Sequence, residues 1–243
     1  IKNRGTLKAN KQVRRDLYRH PELDYCLKTD FKHYYESILK EILMNMIRRK
    51  FKGSFAINLF ELCINAYNPK LKNGISIGSV MSQNNGNFYL TPMDKFIMSE
   101  CKSPYMSRNV DDTVILCTKD QGIQIISQLK DFSSQFGLLY SKIALFPIAK
   151  RRIDFCGWAI NRENNRVRAS TVRRFYRRLY LMIQHPERIN RTRSVVSSYE
   201  GILKHGDATH LINNIKEQYN EIFNRINRHT AFERSKKRKA SAS

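Results

Sequence analysis

The sequence predicts a mixed α/β unit followed by a small helical bundle. Short strand-like segments alternate with helical apolar spacing up to about residue 160, and strand signals then cease from Ser170 onward. A hydrophobic share of 41% in 243 residues is enough to bury a core of one large or two small domains.

Residues 1–20 are polar and basic. Tyr25-Cys26-Leu27-Lys28-Thr29-Asp30 reads as a strand with Tyr25, Leu27 and Thr29 on one face. Ile38, Leu39, Ile42, Leu43, Met46 and Ile47 then recur at helical spacing, so a helix begins soon after Asp30. A second short helix is expected around Leu59, Leu62, Cys63 and Ala66, ended by Asn68-Pro69. A glycine-bearing loop from Gly74 to Gly78 leads into a helical pattern through Tyr89, Met93, Phe96 and Ile97. Pro92 kinks that helix or marks its first turn. Tyr105 to Cys117 is two short apolar runs around Asp111-Asp112, the pattern of a hairpin with the acidic pair at its turn. A helix with Ile123, Ile126, Leu129 and Phe132 on its apolar side follows, then strands over Ile143–Ile148 and Ile153–Ile160. Ser170 or Thr171 caps a helix whose Val172, Phe175, Tyr176, Leu179 and Ile183 face the core. Arg173, Arg174, Arg177 and Arg178 fall on its other faces. One last long helix is expected through Leu211, Ile215, Tyr219, Ile222 and Ile226, before a basic tail of disordered composition.

Lys and Arg total 44 against 21 acidic residues, a formal net charge of +23. Such a field points to a polyanionic partner, nucleic acid first and an anionic membrane surface second. No apolar run approaches a membrane span and no signal peptide opens the chain, so no membrane partner is expected. Five cysteines, Cys26, Cys63, Cys101, Cys117 and Cys156, have neither CxxC spacing nor a following His-x3-His, and read as reduced thiols rather than zinc ligands.

Two-metal phosphoryl chemistry needs carboxylates converging on cations roughly 3.5–4 Å apart. Asp30 at a strand-to-helix junction and Asp111-Asp112 at a hairpin turn offer that arrangement. Magnesium takes hard oxygen ligands and keeps some water, so two or three carboxylates suffice. Each piece alone has an ordinary explanation, since Asp-Asp is a common turn dipeptide and an Asp before a helix is usually a cap.

The surrounding residues favour the chemical reading. Asp30-Phe-Lys-His-Tyr-Tyr-Glu-Ser-Ile38 resembles motif A of reverse transcriptases. Gly74-Ile-Ser-Ile-Gly-Ser-Val-Met-Ser-Gln83, with Asn87-Phe-Tyr-Leu-Thr-Pro-Met-Asp94, resembles motif B. Arg108-Asn-Val-Asp-Asp-Thr-Val-Ile-Leu116 resembles motif C, Lys142 stands where motif D has its lysine, and Ile153-Asp-Phe-Cys-Gly-Trp158 resembles motif E. Ser198-Tyr-Glu-Gly-Ile-Leu-Lys-His205 is similar to a segment of bacterial thumbs. Ser82-Gln83 in motif B is typical of the enzymes of diversity-generating retroelements; group II intron and retroviral enzymes usually carry Ser-Pro.

The resemblance implies a right-hand polymerase of α/β (α+β) class: a fingers remnant at 1–24, a palm at 25–160, a helical thumb at 161–230 and a disordered basic tail at 231–243. It implies RNA-templated DNA synthesis with two Mg2+ ions, for which Mn2+ can substitute. The partners implied are an RNA template and a DNA primer or product, with a small basic accessory protein in the diversity-generating members. The setting implied is cytoplasmic, bacterial or phage-encoded. Asp30, Asp111 and Asp112 would be the metal ligands, joined by the Phe31 carbonyl. Tyr35 would crowd the sugar 2′ position, Gln83 would contact the nucleotide or template base, and Lys142 would protonate the leaving pyrophosphate. Phe155, Cys156, Gly157 and Trp158 would form the primer grip, and Arg173, Arg174, Arg177 and Arg178 would hold backbone phosphates.

Two departures support a rival expectation, a catalytically impaired nucleic-acid-binding remnant or scaffold subunit. Asn109 replaces the usual motif C tyrosine. The strands that carry the family's triphosphate-gripping residues lie upstream of anything present here, and the chain opens at Ile1 without an initiator Met, as a fragment or processed product would.

Overall fold

The structure, a computed structural model, describes residues 5–68, 70–103, 105–185 and 187–240. The chain divides into two compact units, 1–156 and 157–243.

The first unit is built on a four-stranded antiparallel sheet of order β2-β3-β1-β4, formed by β1 (Tyr25–Phe31), β2 (Met106–Asn109), β3 (Asp112–Cys117) and β4 (Tyr140–Pro147). Helices α1 (Thr6–Arg19), α2 (Tyr34–Ser37), α3 (Lys40–Lys50), α4 (Ser54–Asn65), α5 (Val80–Tyr89), α6 (Thr91–Lys95) and α7 (Lys119–Ser134) surround it, and a π-helical turn, Phe96–Glu100, continues α6. On one side of the sheet Leu27, Phe31 and Ile115 pack with Ile38, Leu43, Ile47, Tyr89, Ile97, Ile125 and Leu129 in one apolar core. The strand β1 expected to bury one face buries both, since Cys26 is as inaccessible as Leu27.

Where the elements differ from expectation, packing gives the reason. The basic opening stretch contains α1, which buries Asn10, Val13 and Leu17 at i, i+3 and i+7; two apolar residues among charges are too weak a signal to read. On α7 the inward face is Gly122, Ile125, Leu129 and Ser133, and Ile123 is exposed. The helix turns this way because Gly122 presses on Leu145 of the sheet, where any side chain would collide. Pro92 does mark a first turn, that of α6, while α5 ends at Tyr89. The glycine-bearing loop is laid on the segment after Asp30: Gly74 N–H donates to Ile38 O at 2.9 Å and Ile75 N–H to Tyr35 O at 3.0 Å. The strand expected over Ile153–Ile160 is interrupted at Cys156 and Gly157, both with positive φ (51° and 91°), leaving β5 (Ile153–Phe155) as the end of this unit.

The second unit pairs β6 (Trp158–Ile160) with β7 (Asn165–Val167), then adds α8 (Ala169–Gln184), α9 (Ile189–Leu203), α10 (Thr209–Gln218) and α11 (Asn220–Ala240). The polar three-residue β7 has no strand signal, yet Asn165 is fully buried. Its side-chain amide donates to His205 O, and its N–H donates to the Asp207 carboxylate. On α8, Phe175 and Leu179 are buried as expected, whereas Ile183 is half exposed. The single last helix is broken at Tyr219, which leaves helical backbone (φ −115°, ψ 33°). The tail expected to be disordered from 231 is instead helical to Ala240, because Lys, Arg and Ala are good helix formers and charge alone does not end a helix. Residues 241–243 lie outside the described ones.

Candidate active site

The sheet's register assembles the carboxylates. Thr29 of β1 pairs with Thr113 of β3 as the last pair of that ladder, so Asp30 and Asp112 are the next residues on the two strands. Across the other edge of β1, Asp30 pairs with Lys142 of β4. Directly opposed residues of antiparallel strands project to the same face, so Lys142 and Asp30 share one, with Lys28 two residues along. A register shift between Asp30 and Phe31, which pairs with Tyr140, leaves Ser141 out of the ladder, and its hydroxyl donates to the Asp30 main-chain oxygen (3.1 Å) and carboxylate (3.3 Å).

Asp111 comes from the turn. Asn109 pairs with Asp112, so Val110 and Asp111 are the two central residues of the hairpin. Val110 has φ 61°, a conformation that costs a β-branched residue strain and persists only where its surroundings enforce it. Arg108 supplies that enforcement. Its guanidinium donates to Val110 O at 2.7 Å and to both Asp94 carboxylate oxygens, at 2.7 and 2.5 Å. Further donations reach the Asn87 side chain (3.1 Å) and carbonyl (3.3 Å). The turn is thereby fastened to α5 and α6.

Burial raises the Asp111 pKa above the usual carboxylate value, with the charges of Asp30 and Asp112 adding to the rise. Asp112 is raised by burial and by Asp30 and Asp154, against the lowering effect of Lys28. The Lys28 ammonium lies 3.1 Å from Asp112 Oδ1 and donates to Oδ2 at 3.3 Å, and it also donates to Asp154 O. Asp112 Oδ1 is buried without a hydrogen bond of good geometry despite that proximity.

Among the described residues, no three Asp, Glu, His or Cys side chains are gathered closely enough to hold a metal ion between them. Of the three expected carboxylates, Asp112 is the one engaged by Lys28. The donor chemistry suits a hard divalent cation: Asp30 and Asp111 offer carboxylate oxygens whose mutual repulsion a cation would relieve, and magnesium takes such hard oxygen donors.

The other expected residues fall in several places. Tyr34 is the core aromatic, its hydroxyl donating to Gly86 O at 2.6 Å. Tyr35 is half-buried and close enough to Asp111 for that charge to raise its pKa, after burial. Both tyrosine rings lie against Gly86, where a Cβ would stand 3.2 Å from Tyr35 and 3.3 Å from Tyr34, so a larger residue there would need the rings to shift by a few tenths of an ångström. Gln83 is exposed on α5 and lines a cleft of about 980 Å3 with Asn84, Asn87, Phe88, Arg108 and Asn109. The Phe31 ring is buried and stacks on Tyr140 with centroids 4.5 Å apart. Lys142 is exposed beside Ser141. Phe155 and Trp158 are buried, so only Cys156 and Gly157 of the expected primer grip are accessible. Arg173, Arg174, Arg177 and Arg178 are all exposed on α8. Sequence reasoning did not foresee the contacts that Lys28, Arg108 and Asp94 make around the acidic residues. The one available signal was alternation, which puts Lys28 on the same strand face as Asp30.

No protein-family model and no curated protein matches the chain. Solved structures do. An apo telomerase from Candida tropicalis truncated from its C-terminal domain aligns with a TM-score of 0.54 and 17% identity, over 68% of this chain and 40% of that one. A fuller apo form of that enzyme gives 0.55 and 16%, over 69% and 37%. The Candida tropicalis telomerase in complex with a TWJ fragment of telomeric RNA gives 0.54 and 13%, over 86% and 43%. The chain thus spans less than half the length of these telomerases. At such identities the likeness concerns the fold alone: this chain shares the architecture of part of those telomerases.

Proposed function

We propose that the chain carries out RNA-templated DNA synthesis by two-metal nucleotidyl transfer, within a diversity-generating retroelement. In this reading residues 25–160 act as palm and 161–230 as thumb. The observation that supports it most is the placement of Asp30 and Asp112 just beyond the last β1–β3 pair, Thr29–Thr113, with Asp111 in the adjoining strained turn. Asp30 and Asp111, with the Phe31 carbonyl and Asp112 beside them, would hold magnesium, which when bound supplies charge neutralisation for the attacking and leaving oxygens. The chain's own groups do the positioning. Arg108 keeps Asp111 at the turn, and the half-exposed Tyr35 ring, near enough to feel the Asp111 charge, would crowd a ribose 2′-hydroxyl. Gln83 offers an amide to a base in the cleft. Lys142, level with Asp30, can donate a proton to a departing phosphate. The exposed arginines of α8 suit sugar–phosphate backbone.

A specific observation favours the rival reading of a catalytically impaired nucleic-acid-binding subunit: Lys28 already neutralises Asp112. Primer extension on an RNA template with a DNA primer and Mg2+ decides between them. Extension by the wild type that is abolished in Asp30→Asn and Asp111→Asn supports the enzyme. Duplex binding without extension, with or without an added small basic accessory protein, supports the remnant. Sequencing the products separates the retroelement type, which would misincorporate opposite template adenine, from a faithful group II intron-like enzyme.

A further inference from the structure

Helix α4 is apolar on two opposite sides. Ile64 is buried and Ile57 and Phe60 pack on the same core, the Phe60 ring lying 5.1 Å from that of Phe51. Half a turn round the helix, Phe55, Leu59 and Leu62 follow at i, i+4 and i+7, exposed by 82%, 45% and 70%. A surface helix ordinarily turns one stripe inward and shows charge to water, and one that is apolar all round is normally covered. Glu61 is the only charged residue of α4. The three side chains leave roughly 350 Å2 of contiguous apolar surface, within the range where a patch on a monomer is often functional.

We propose that this stripe docks an acidic amphipathic helix of a partner protein. Spacing of i, i+4 and i+7 is the pattern by which one helix anchors on another. The two ends of the stripe are basic: residues 48–72 contain Arg48, Arg49, Lys50, Lys52, Lys70 and Lys72 against Glu61 alone, and all six cations are exposed. A second copy of the chain would bring the same cations and the same net charge of +23 against them, so the partner carries the opposite sign. An interfacial membrane helix has Lys or Arg beside its apolar stripe. Here the neighbours on α4 are Ser54, Asn58 and Asn65, exposed and uncharged, which suit the hydrogen-bonding rim of a protein interface. The proposal does not depend on polymerase activity.

The test uses the full chain and a fluorescent four-turn helical peptide with Leu at i, i+4, i+7 and i+11 and Glu at the flanking positions, at about 0.15 M salt. Saturable binding is expected, weakened at least about tenfold by Phe55→Ser/Leu62→Ser. Replacing the peptide's Glu by Lys should weaken it similarly. Both substituted side chains are exposed, so the melting temperature should not change; Leu59→Gln serves as a second variant if it does. Equal binding by a peptide whose Leu are replaced by Gln would show charge alone at work and overturn the proposal. So would binding indifferent to the variants, or no binding at all. Concentration-dependent dimerisation in sedimentation that the double variant abolishes would assign the stripe to a second copy instead. Variant-sensitive binding to vesicles containing anionic phospholipid, without peptide binding, would assign it to a membrane.

Discussion

Replacing Arg108 by Met should loosen the turn that carries Asp111. The guanidinium is only 12% exposed and grips Asp94, itself 25% exposed, through two hydrogen bonds, with a third to Val110 O. Removing one member of a buried ion pair costs about 3–5 kcal/mol, because the remaining charge is left without a partner. Water can reach the Asp94 carboxylate in part, which places the loss near the bottom of that range, about 3 kcal/mol. Spread over a chain of this size, that is a fall in melting temperature of roughly 6–12 °C. Freeing Val110 from its φ of 61° returns about 1–3 kcal/mol of strain, so the net fall is smaller, at most about 8 °C. The distinctive readout is local: amide exchange over residues 106–113 should speed up well beyond the global change. Asp94→Asn should do the same, and the Asp94→Asn/Arg108→Met double variant should lose much less than the sum of the singles. Additive losses, or unchanged exchange at Val110 and Asp111, would refute the clamp.

Three further outcomes follow from the site. Burial and the neighbouring carboxylates raise the folded-state pKa of Asp111, so its ionised form opposes folding at neutral pH. Asp111→Asn should therefore raise the melting temperature at pH 7, with the gain vanishing as pH falls below the ordinary carboxylate value of 3.8; a gain that grows on acidification would contradict the assignment. Duplex binding should fall steeply with salt, and changing Arg173, Arg174, Arg177 and Arg178 together to Gln should flatten the log–log slope by about 3–4 units. An unchanged slope would remove α8 from the interface. Tyr35→Ala should shift the ratio of catalytic efficiencies toward ribonucleotides on the order of 10- to 100-fold with little effect on the melt. Tyr34→Ala should instead destabilise by about 3–5 kcal/mol, and the reverse pattern would exchange the two roles.

Much of the site was legible in the order of residue types. Alternation located β1 with Asp30 near its end, and the interrupted apolar runs located the hairpin that bears Asp111 and Asp112. These are local properties, set by strand periodicity and turn chemistry within a few residues. The basic balance of the chain, and the arginines lying between the core positions of α8, are likewise written in composition and spacing. Which partner each charge meets is a different kind of information. Lys28 faces Asp112 across 84 positions of sequence, and Arg108 reaches helices whose contacts begin 21 residues upstream at Asn87. Cross-strand register and helix docking create those pairs, and neither leaves a trace in local spacing. The same holds for the rotation of α7 that buries Ile125 in place of Ile126, and for the separation of Tyr34 from Tyr35, one sealed in the core and the other beside Asp111. A periodic pattern says that a face exists. Its orientation to within one residue depends on where Gly86 and Gly122 let neighbouring elements come close, and only the assembled tertiary structure decides that.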